Sequence, residues 1–510
     1  MMNGAYDGLL MLLGVMWVVP IGVFIGMTFG AVPGLNKSGM LAILLPVLLA
    51  MSPEMGLVFA MSLYAGGEVG NAFPAVVLNI PGDASAAVTA LEGYQMTLRG
   101  DGAKALGMCV MGSTIGAVLG GLASLVAAPT LGAIALRFSY PEICIIVLFG
   151  LAAIAQVSSG GLAKGLMMGF AGMLLSTTGT DPMWGTFRGT FDLVYLFDGL
   201  PIIPCLIGLL GFSELLKMIE GGITVNRVSQ AREVGLKGVL AGMRETFRYP
   251  FDLLRSSLTG IIIGIVPGAG GTVSTFLSYQ QALSWASPEA KKQFGKGSPN
   301  GLIAGDTANN ADVGGSIVPL ITLGIPGSSA AAVLLVIMAY HGLEVGPRLL
   351  STAEGASVAY AIIWSQFVSA GLLVVMGGLL ATFAYRLAFL PVNTMVPVIM
   401  VAALIGSFSQ NQYIFDMGVM VLFGIIGFFM KSYGYPPIAL LLGIILGPMF
   451  EENLLRTLRL GGGTPELFFE RPLTLFLWLL LFLTLGARPA LQLLRNYRNR
   501  RIGDPVKAQQ

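Results

Sequence analysis

Four Pro-Gly steps interrupt strongly apolar sequence, and beside them stand the few polar residues able to bind an anion or a cation. They are Val32-Pro33-Gly34 and Leu78-Asn79-Ile80-Pro81-Gly82 in the first half, and Val266-Pro267-Gly268 and Leu323-Gly324-Ile325-Pro326-Gly327 in the second. Proline removes a backbone donor and clashes with the preceding turn, while glycine accepts conformations other residues avoid, so each step is predicted to break a helix. The second half of a broken helix starts with free N–H groups, and its aligned dipoles favour negative charge there. A carboxylate can bind at such a place, and the candidate contacts are Pro33, Gly34, Lys37, Ser38, Asn79, Pro81, Gly82, Ser85, Pro267, Gly268, Pro326, Gly327, Ser328 and Ser329. The serines also cap helices, so for any one of them capping and ligand contact are both open.

Carbonyls exposed on the other side of each break, with nearby amides, are hard oxygen ligands suited to Na+ or to a proton path. Asn79, Asn309 and Asn310 are the candidates for Na+. Glu68, Asp306 and Asp312 lie in the same glycine-rich contexts, and an acid at membrane depth is by default a functional residue. Coupling-ion or substrate contact is one reading of these acids; structural pairing with Lys37 or with backbone donors is the other.

Other chemistry is missing. Gly30 to Ser38 superficially resembles a phosphate-binding loop, but the glycine that must precede the lysine is absent, which leaves Lys37 to face water, an acid or a substrate carboxylate. His341 is the single histidine, so no multi-histidine metal site is available and an interfacial or hydrogen-bonded role is expected. Cys109, Cys144 and Cys205 are scattered in apolar surroundings and read as packing residues. Neither a GxSxG nucleophile with plausible partners nor HExxH occurs, so an enzyme is not expected, and no cofactor beyond Na+ or H+ as coupling ion.

The elements that must position these residues are membrane helices. The chain is 55% hydrophobic and 11% charged, with 70 glycines in 510 residues, a composition that a soluble core could not bury. Apolar runs such as Leu9 to Phe29 and Leu473 to Leu485 lack the alternation of barrel strands. An all-α polytopic protein is expected, with roughly 11 to 13 spans at about 20 residues each, some of them shorter half-helices. A net charge of +2 gives no reason to expect nucleic acid. The amino terminus carries no Lys or Arg before Lys37 and reads as a retained first span.

Basic residues set the expected topology. Lys217, Arg227, Arg232, Lys237, Arg244, Arg248 and Arg255 outnumber the acids between positions 217 and 255, which places this segment in the cytoplasm. The tail from Arg488 onward is basic too, whereas Asp181, Asp192 and Asp198 against Arg188 place 180–198 outside. The expected division is a first transmembrane repeat at 1–216, a cytoplasmic connection at 217–255, a second repeat at 256–450, and a final span with a basic tail at 451–510. Gly26-Met-Thr-Phe-Gly-Ala-Val-Pro-Gly34 parallels Gly260-Ile-Ile-Ile-Gly-Ile-Val-Pro-Gly268, and Leu78 to Ala87 parallels Leu323 to Ala332. A charged insertion, Ser284 to Asn300, accounts for the longer spacing in the second half. Repeats entering the membrane from opposite sides would be inverted repeats with broken or re-entrant helices, an architecture common among secondary transporters.

The chain resembles the TctA family, the large membrane subunit of the tripartite tricarboxylate transporters. The resemblance rests on Gly30-Ala-Val-Pro-Gly-Leu35, on Leu78 to Gly82 followed by Glu92-Gly-Tyr94, and on Phe294-Gly-Lys-Gly297 through Ala308-Asn-Asn-Ala311, Gly314-Gly315 and Leu323 to Gly327 as far as Gly346-Pro347. It runs from about residue 10 to about 450. It implies uptake of a carboxylate by a bacterial inner-membrane permease that works with a small TctB-like membrane subunit and a periplasmic TctC-like binding protein, driven by a Na+ or proton gradient. The chain departs from the family pattern at Glu68, Asp306, Asp312 and Glu92-Gly-Tyr-Gln95; unpaired acids at 68 and 312 would repel a tricarboxylate, so either they are protonated, or they bind cations, or the solute is less negative than citrate. A passive anion or organic-acid channel is the alternative from another class.

Overall fold

The computed structural model describes residues 2–157, 161–181, 184–221, 235–268, 270–384, 386 and 392–501. Arg227 and Arg232 of the connecting segment, Asp504 and Lys507 of the tail, and the side chains of the tail's arginines from Arg488 lie outside the described residues. The described residues are all-α apart from a two-stranded hairpin pairing Gly179–Thr180 with Phe187–Arg188. In chain order the helices are α1 (Met2–Val15), α2 (Val18–Gly30), α3 (Lys37–Leu49), α4 (Pro53–Gly70), α5 (Ala72–Leu78), α6 (Ala87–Leu98), α7 (Gly102–Ala135), α8 (Tyr140–Val157), α9 (Gly161–Ser176), α10 (Ile202–Leu206), α11 (Ser213–Gly221), α12 (Leu236–Thr246), α13 (Pro250–Ile265), α14 (Gly270–Trp285), α15 (Pro288–Lys291), α16 (Pro299–Leu323), α17 (Ser329–Tyr340) and α18 (Ala353–Leu372). Further helices cover Val392–Asn411, Ile414–Ser432, Pro437–Leu460 and Pro472–Arg501.

Among the described residues, five helices are long and apolar enough to cross a membrane, or six if the pair bent by 74° between Gly4–Val15 and Val18–Gly30 counts as one span. Shorter apolar helices of 10–17 residues include Lys37–Leu49 and Ser329–Tyr340. The expected roughly 11 to 13 spans are reached only by counting these short pieces; two of them, Lys37–Leu49 and Ser329–Tyr340, follow Pro-Gly breaks and fall below the about 20 residues a full crossing needs.

By packing, the chain divides into two units, one of residues 1–137 with 200–433 and one of 138–199 with 434–510. All of the Pro-Gly steps belong to the first. Its helices approach through glycine. A Cβ on Gly26 or Gly30 of α2 would strike the backbone of α4 at Leu63 or Gly67, and one on Gly260 or Gly264 of α13 would strike α16 at Ala308 or Asp312. Small residues allow this close approach where lipid, as apolar as the side chains, supplies little drive for association. The cytoplasmic connection expected at 217–255 includes α12, whose Gly242 abuts the Lys104 carbonyl of α7 and whose Glu245 pairs with Lys104 at 2.7 Å. In the second unit, Arg188 bonds Glu451 at 2.7 Å and Asp181 at 3.1 Å, and Arg471 bonds the buried Glu142 at 3.0 Å.

Candidate functional site

Each Pro-Gly step ends one helix and starts another. At the first, α2 stops at Gly30, Gly34 turns with φ 83°, and Asn36 caps α3 by accepting from the Gly39 N–H at 2.7 Å. The Asn36 amide also donates to Glu214 at 3.0 Å, and Glu214 pairs with Lys431, so the start of α3 is braced from outside the break. At the third step α13 ends at Ile265, Gly268 takes φ 77°, and α14 begins at Gly270.

The second and fourth steps share a backbone design. α5 ends on Asn79 in the left-handed region (φ 58°), and the Ile80 N–H returns to the Pro74 carbonyl at 3.3 Å. α16 ends on Gly324, likewise left-handed (φ 73°), and the Ile325 N–H returns to the Pro319 carbonyl at 3.3 Å. Asparagine and glycine are the residues that visit this region readily. A Cβ on Gly82 would lie 2.9 Å from the Gly30 carbonyl, and one on Gly327 would lie 2.5 Å from that of Gly264, so each Pro-Gly packs on the break that precedes it. The Gly268 N–H also donates to the Gly327 carbonyl at 3.0 Å.

The helix starts created by the four breaks meet in one place. Lys37 and Ser38 open α3, Ser85 lies in the 3₁₀ turn that precedes α6, Gly270 and Gly271 open α14, and Ser328 caps α17. The Lys37 Nζ lies 3.5 Å from the Ser85 hydroxyl, and a Cβ on Gly271 would be 3.3 Å from Nζ. The Ser38 and Ser329 hydroxyls are hydrogen-bonded across the halves, and Tyr64 on α4 bonds the Ser328 hydroxyl at 3.0 Å. Lys37 forms an ion pair with Glu68, lies 3.4 Å from Asp83, and sits 5.9 Å from the Tyr64 ring. Asn309 on α16 donates to Glu68 at 2.8 Å. Lys37 and Glu68 are almost wholly buried, at 5% and 1% exposure, and a charge so placed is tolerable only when paired and hydrogen-bonded.

The sequence candidates divide accordingly. Lys37, Ser38, Glu68, Ser85, Asn309, Ser328 and Ser329 are brought together. Pro33, Pro267, Pro326, Gly82 and Gly327 are buried wall, with Gly34, Gly268 and Pro81 half-buried beside them. Asn79 is exposed at its helix end, whereas Asn309 and Asn310 are buried, so these three amides do not share one environment. Asp306 accepts from Thr89 at 3.1 Å. Asn310 and Asp312 are fully buried, and their side-chain polar atoms have no hydrogen-bond partner. His341 follows the end of α17, where burial holds its pKa below the ordinary histidine value while Glu54 opposes that shift.

Sequence reasoning missed the role of Glu92. This buried carboxylate on α6 accepts from the Tyr279 hydroxyl at 2.7 Å and from the N–H groups of Gly295, Gly297 and Ser298 at 2.7, 2.8 and 2.7 Å. Ser298 is the N-cap of α16, so a carboxylate from the first half holds the start of the helix that carries Asn309 and Asp312. The signal was present as two glycine-rich stretches, Glu92-Gly-Tyr94 and Phe294 to Gly297, whose pairing no local pattern reveals.

The model of the tripartite tricarboxylate transporter TctA family matches residues 16–442. The chain belongs to the TctA family. It is 31% identical over 456 residues, 89% of each chain, to an uncharacterized 52.8 kDa protein in the TAR-I ttuC' 3' region of Agrobacterium vitis. A second relative from the same organism, an uncharacterized protein in the TAR-II ttuC' 3' region, is 30% identical over 214 residues, 42% of this chain and 87% of its own length. No solved structure matches the chain. As a TctA protein it is a component of a tripartite tricarboxylate transporter and a multi-pass membrane protein.

Proposed function

We propose that this TctA protein is the permease subunit of a binding-protein-dependent secondary transporter that takes up an organic acid across a bacterial inner membrane, driven by a Na+ or proton gradient. The observation that carries this reading is the convergence of helix starts from all four breaks on the Lys37–Glu68 pair. Helix starts favour a carboxylate, and a buried ammonium beside them adds a full positive charge. Without solute, Glu68 neutralises Lys37; an incoming carboxylate takes the place of Glu68 on the ammonium, and the displaced Glu68 takes up a cation or proton. That exchange couples the acid to the ion without leaving an unpaired charge at membrane depth.

The two halves are read as inverted repeats, with the solute between them and a small membrane subunit and a periplasmic binding protein as partners. The test is uptake of radiolabelled mono-, di- and tricarboxylates into proteoliposomes holding all three components, with imposed Na+ or proton gradients. Accumulation of one acid that needs a gradient supports the reading. Equilibration without accumulation would instead describe a channel, which cannot move a solute against its own electrochemical gradient.

A further inference from the structure

The charges of the site do not balance within its hydrogen bonds. Lys37 is committed to Glu68, Asp83 and Ser85. Asp312 on α16 is fully buried and within electrostatic reach of Lys37, Glu68 and Tyr64, yet neither of its carboxylate oxygens has a hydrogen-bond partner. Three residues earlier, close to one helical turn away and on an adjoining face, Asn309 gives its Nδ2 to Glu68. Its Oδ1 therefore points elsewhere, and it too has no partner.

Helix α14 packs its bare backbone close to that oxygen without giving it a donor: a Cβ on Gly271 would fall 2.5 Å from Asn309 Oδ1. On the α13 side, Gly264 brings bare backbone against the Asp312 carbonyl. Three acceptor oxygens on two buried side chains thus face no donor, and leaving such groups unmatched away from water is strongly unfavourable. A proton on Asp312 would give one donor for several acceptors; a cation attracts all of them at once. Among the described residues no three His, Cys, Asp or Glu side chains are grouped to hold a metal ion. With Glu68 paired to Lys37, one carboxylate and one amide oxygen carry a single negative charge, which a monovalent ion neutralises.

We propose that Asp312 and Asn309 form a Na+ site beside the Lys37–Glu68 pair, completed by backbone carbonyls or water. The inference rests on the transporter reading and deepens it. Asn309 touches both features, with its Nδ2 on Glu68 and its Oδ1 on the ion, so ion occupancy and the state of the ion pair are linked through one amide.

The full-length protein in nanodiscs should bind ²²Na+ saturably, and NaCl should raise its unfolding temperature relative to choline chloride at equal ionic strength. Asp312→Asn keeps the shape and removes the charge, and it should weaken Na+ binding by about tenfold or more; Asn309→Ala should weaken it in the same direction. Folding of each variant is checked by size-exclusion elution, and Asn309→Ala serves if Asp312→Asn does not fold. Unchanged ²²Na+ affinity in either folded variant overturns the site. Failure of the wild type to bind Na+, with carboxylate uptake by the complete assembly following a proton gradient, overturns the site and spares the transporter reading. Loss of Na+ binding in the variants, with no carboxylate taken up by the assembly, upholds the site and removes that reading.

Discussion

The two halves of the first unit share a backbone and differ in their side chains. Asn79 and Gly324 end their helices in the same left-handed conformation, Ile80 and Ile325 return to equivalent prolines, and Gly82 and Gly327 press on equivalent glycine carbonyls. Yet when the spacing of the parallel stretches is carried to the residues flanking them, Gly271 stands opposite Lys37, Val313 opposite Glu68, and Gly67 opposite Asp312. The duplicated breaks bring helix starts together; the charges occupy one copy of each matched pair of positions. Repetition builds the frame, and departure from repetition supplies the chemistry.

The sharpest way to break this comparison is to remove the charge from the first half. Glu68→Ala leaves Lys37 buried with Asp83 at 3.4 Å and the Ser85 hydroxyl at 3.5 Å in place of its ion-pair partner, and should cost about 3–5 kcal/mol and abolish uptake. The double substitution Lys37→Met with Glu68→Leu should recover much of that stability but none of the uptake, read by thermal unfolding beside proteoliposome assays. If the double variant transports normally, the ion pair is scaffold and the asymmetry means nothing for function.

Next is the bond between halves. Glu92→Gln weakens acceptance from three backbone N–H groups and a tyrosine, and should destabilise by about 2 kcal/mol, whereas Tyr279→Phe removes one donor and should cost about 1 kcal/mol. Equal effects would show that the backbone bonds contribute little. Gly271→Ala probes the second half at the position that matches Lys37. Its Cβ would fall 2.5 Å from Asn309 Oδ1 and 3.3 Å from Lys37 Nζ, so a loss of about 1–3 kcal/mol is expected, with uptake falling too.

The smallest expected effect sharpens the match. Asn79→Gly copies the second half's residue into the first at a left-handed position, and stability should change by less than about 1 kcal/mol with uptake retained. Loss of uptake in that folded variant would assign the Asn79 side chain to the solute or the ion.

How much of this was legible in the sequence depended on range. The breaks were readable because Pro and Gly act locally, and the matching of Leu78–Ala87 to Leu323–Ala332 was readable because it is literal repetition. Lys37 beside an acid was expected, since a lysine at membrane depth requires a partner; that the partner is Glu68, 31 residues away, is a matter of how α3 packs on α4. Asn79 looked equivalent to Asn309 and Asn310 because all lie beside a break, but Asn79 ends its helix in the open while α16 carries the others inside. Glu92 shows no role in its local sequence, because its partners lie about two hundred residues further on.

The hydrogen bond between Ser38 and Ser329 offers a practical handle. Each serine opens a helix after a break, one in each half, and their hydroxyls touch. The three native cysteines are all buried, so thiols introduced at positions 38 and 329 would stand out against a quiet background. Joined by an oxidant, they would staple the halves shut; left reduced, they would report to a maleimide dye how often the halves part. One contact between two small hydroxyls thus makes the opening of the protein something that can be switched off and timed.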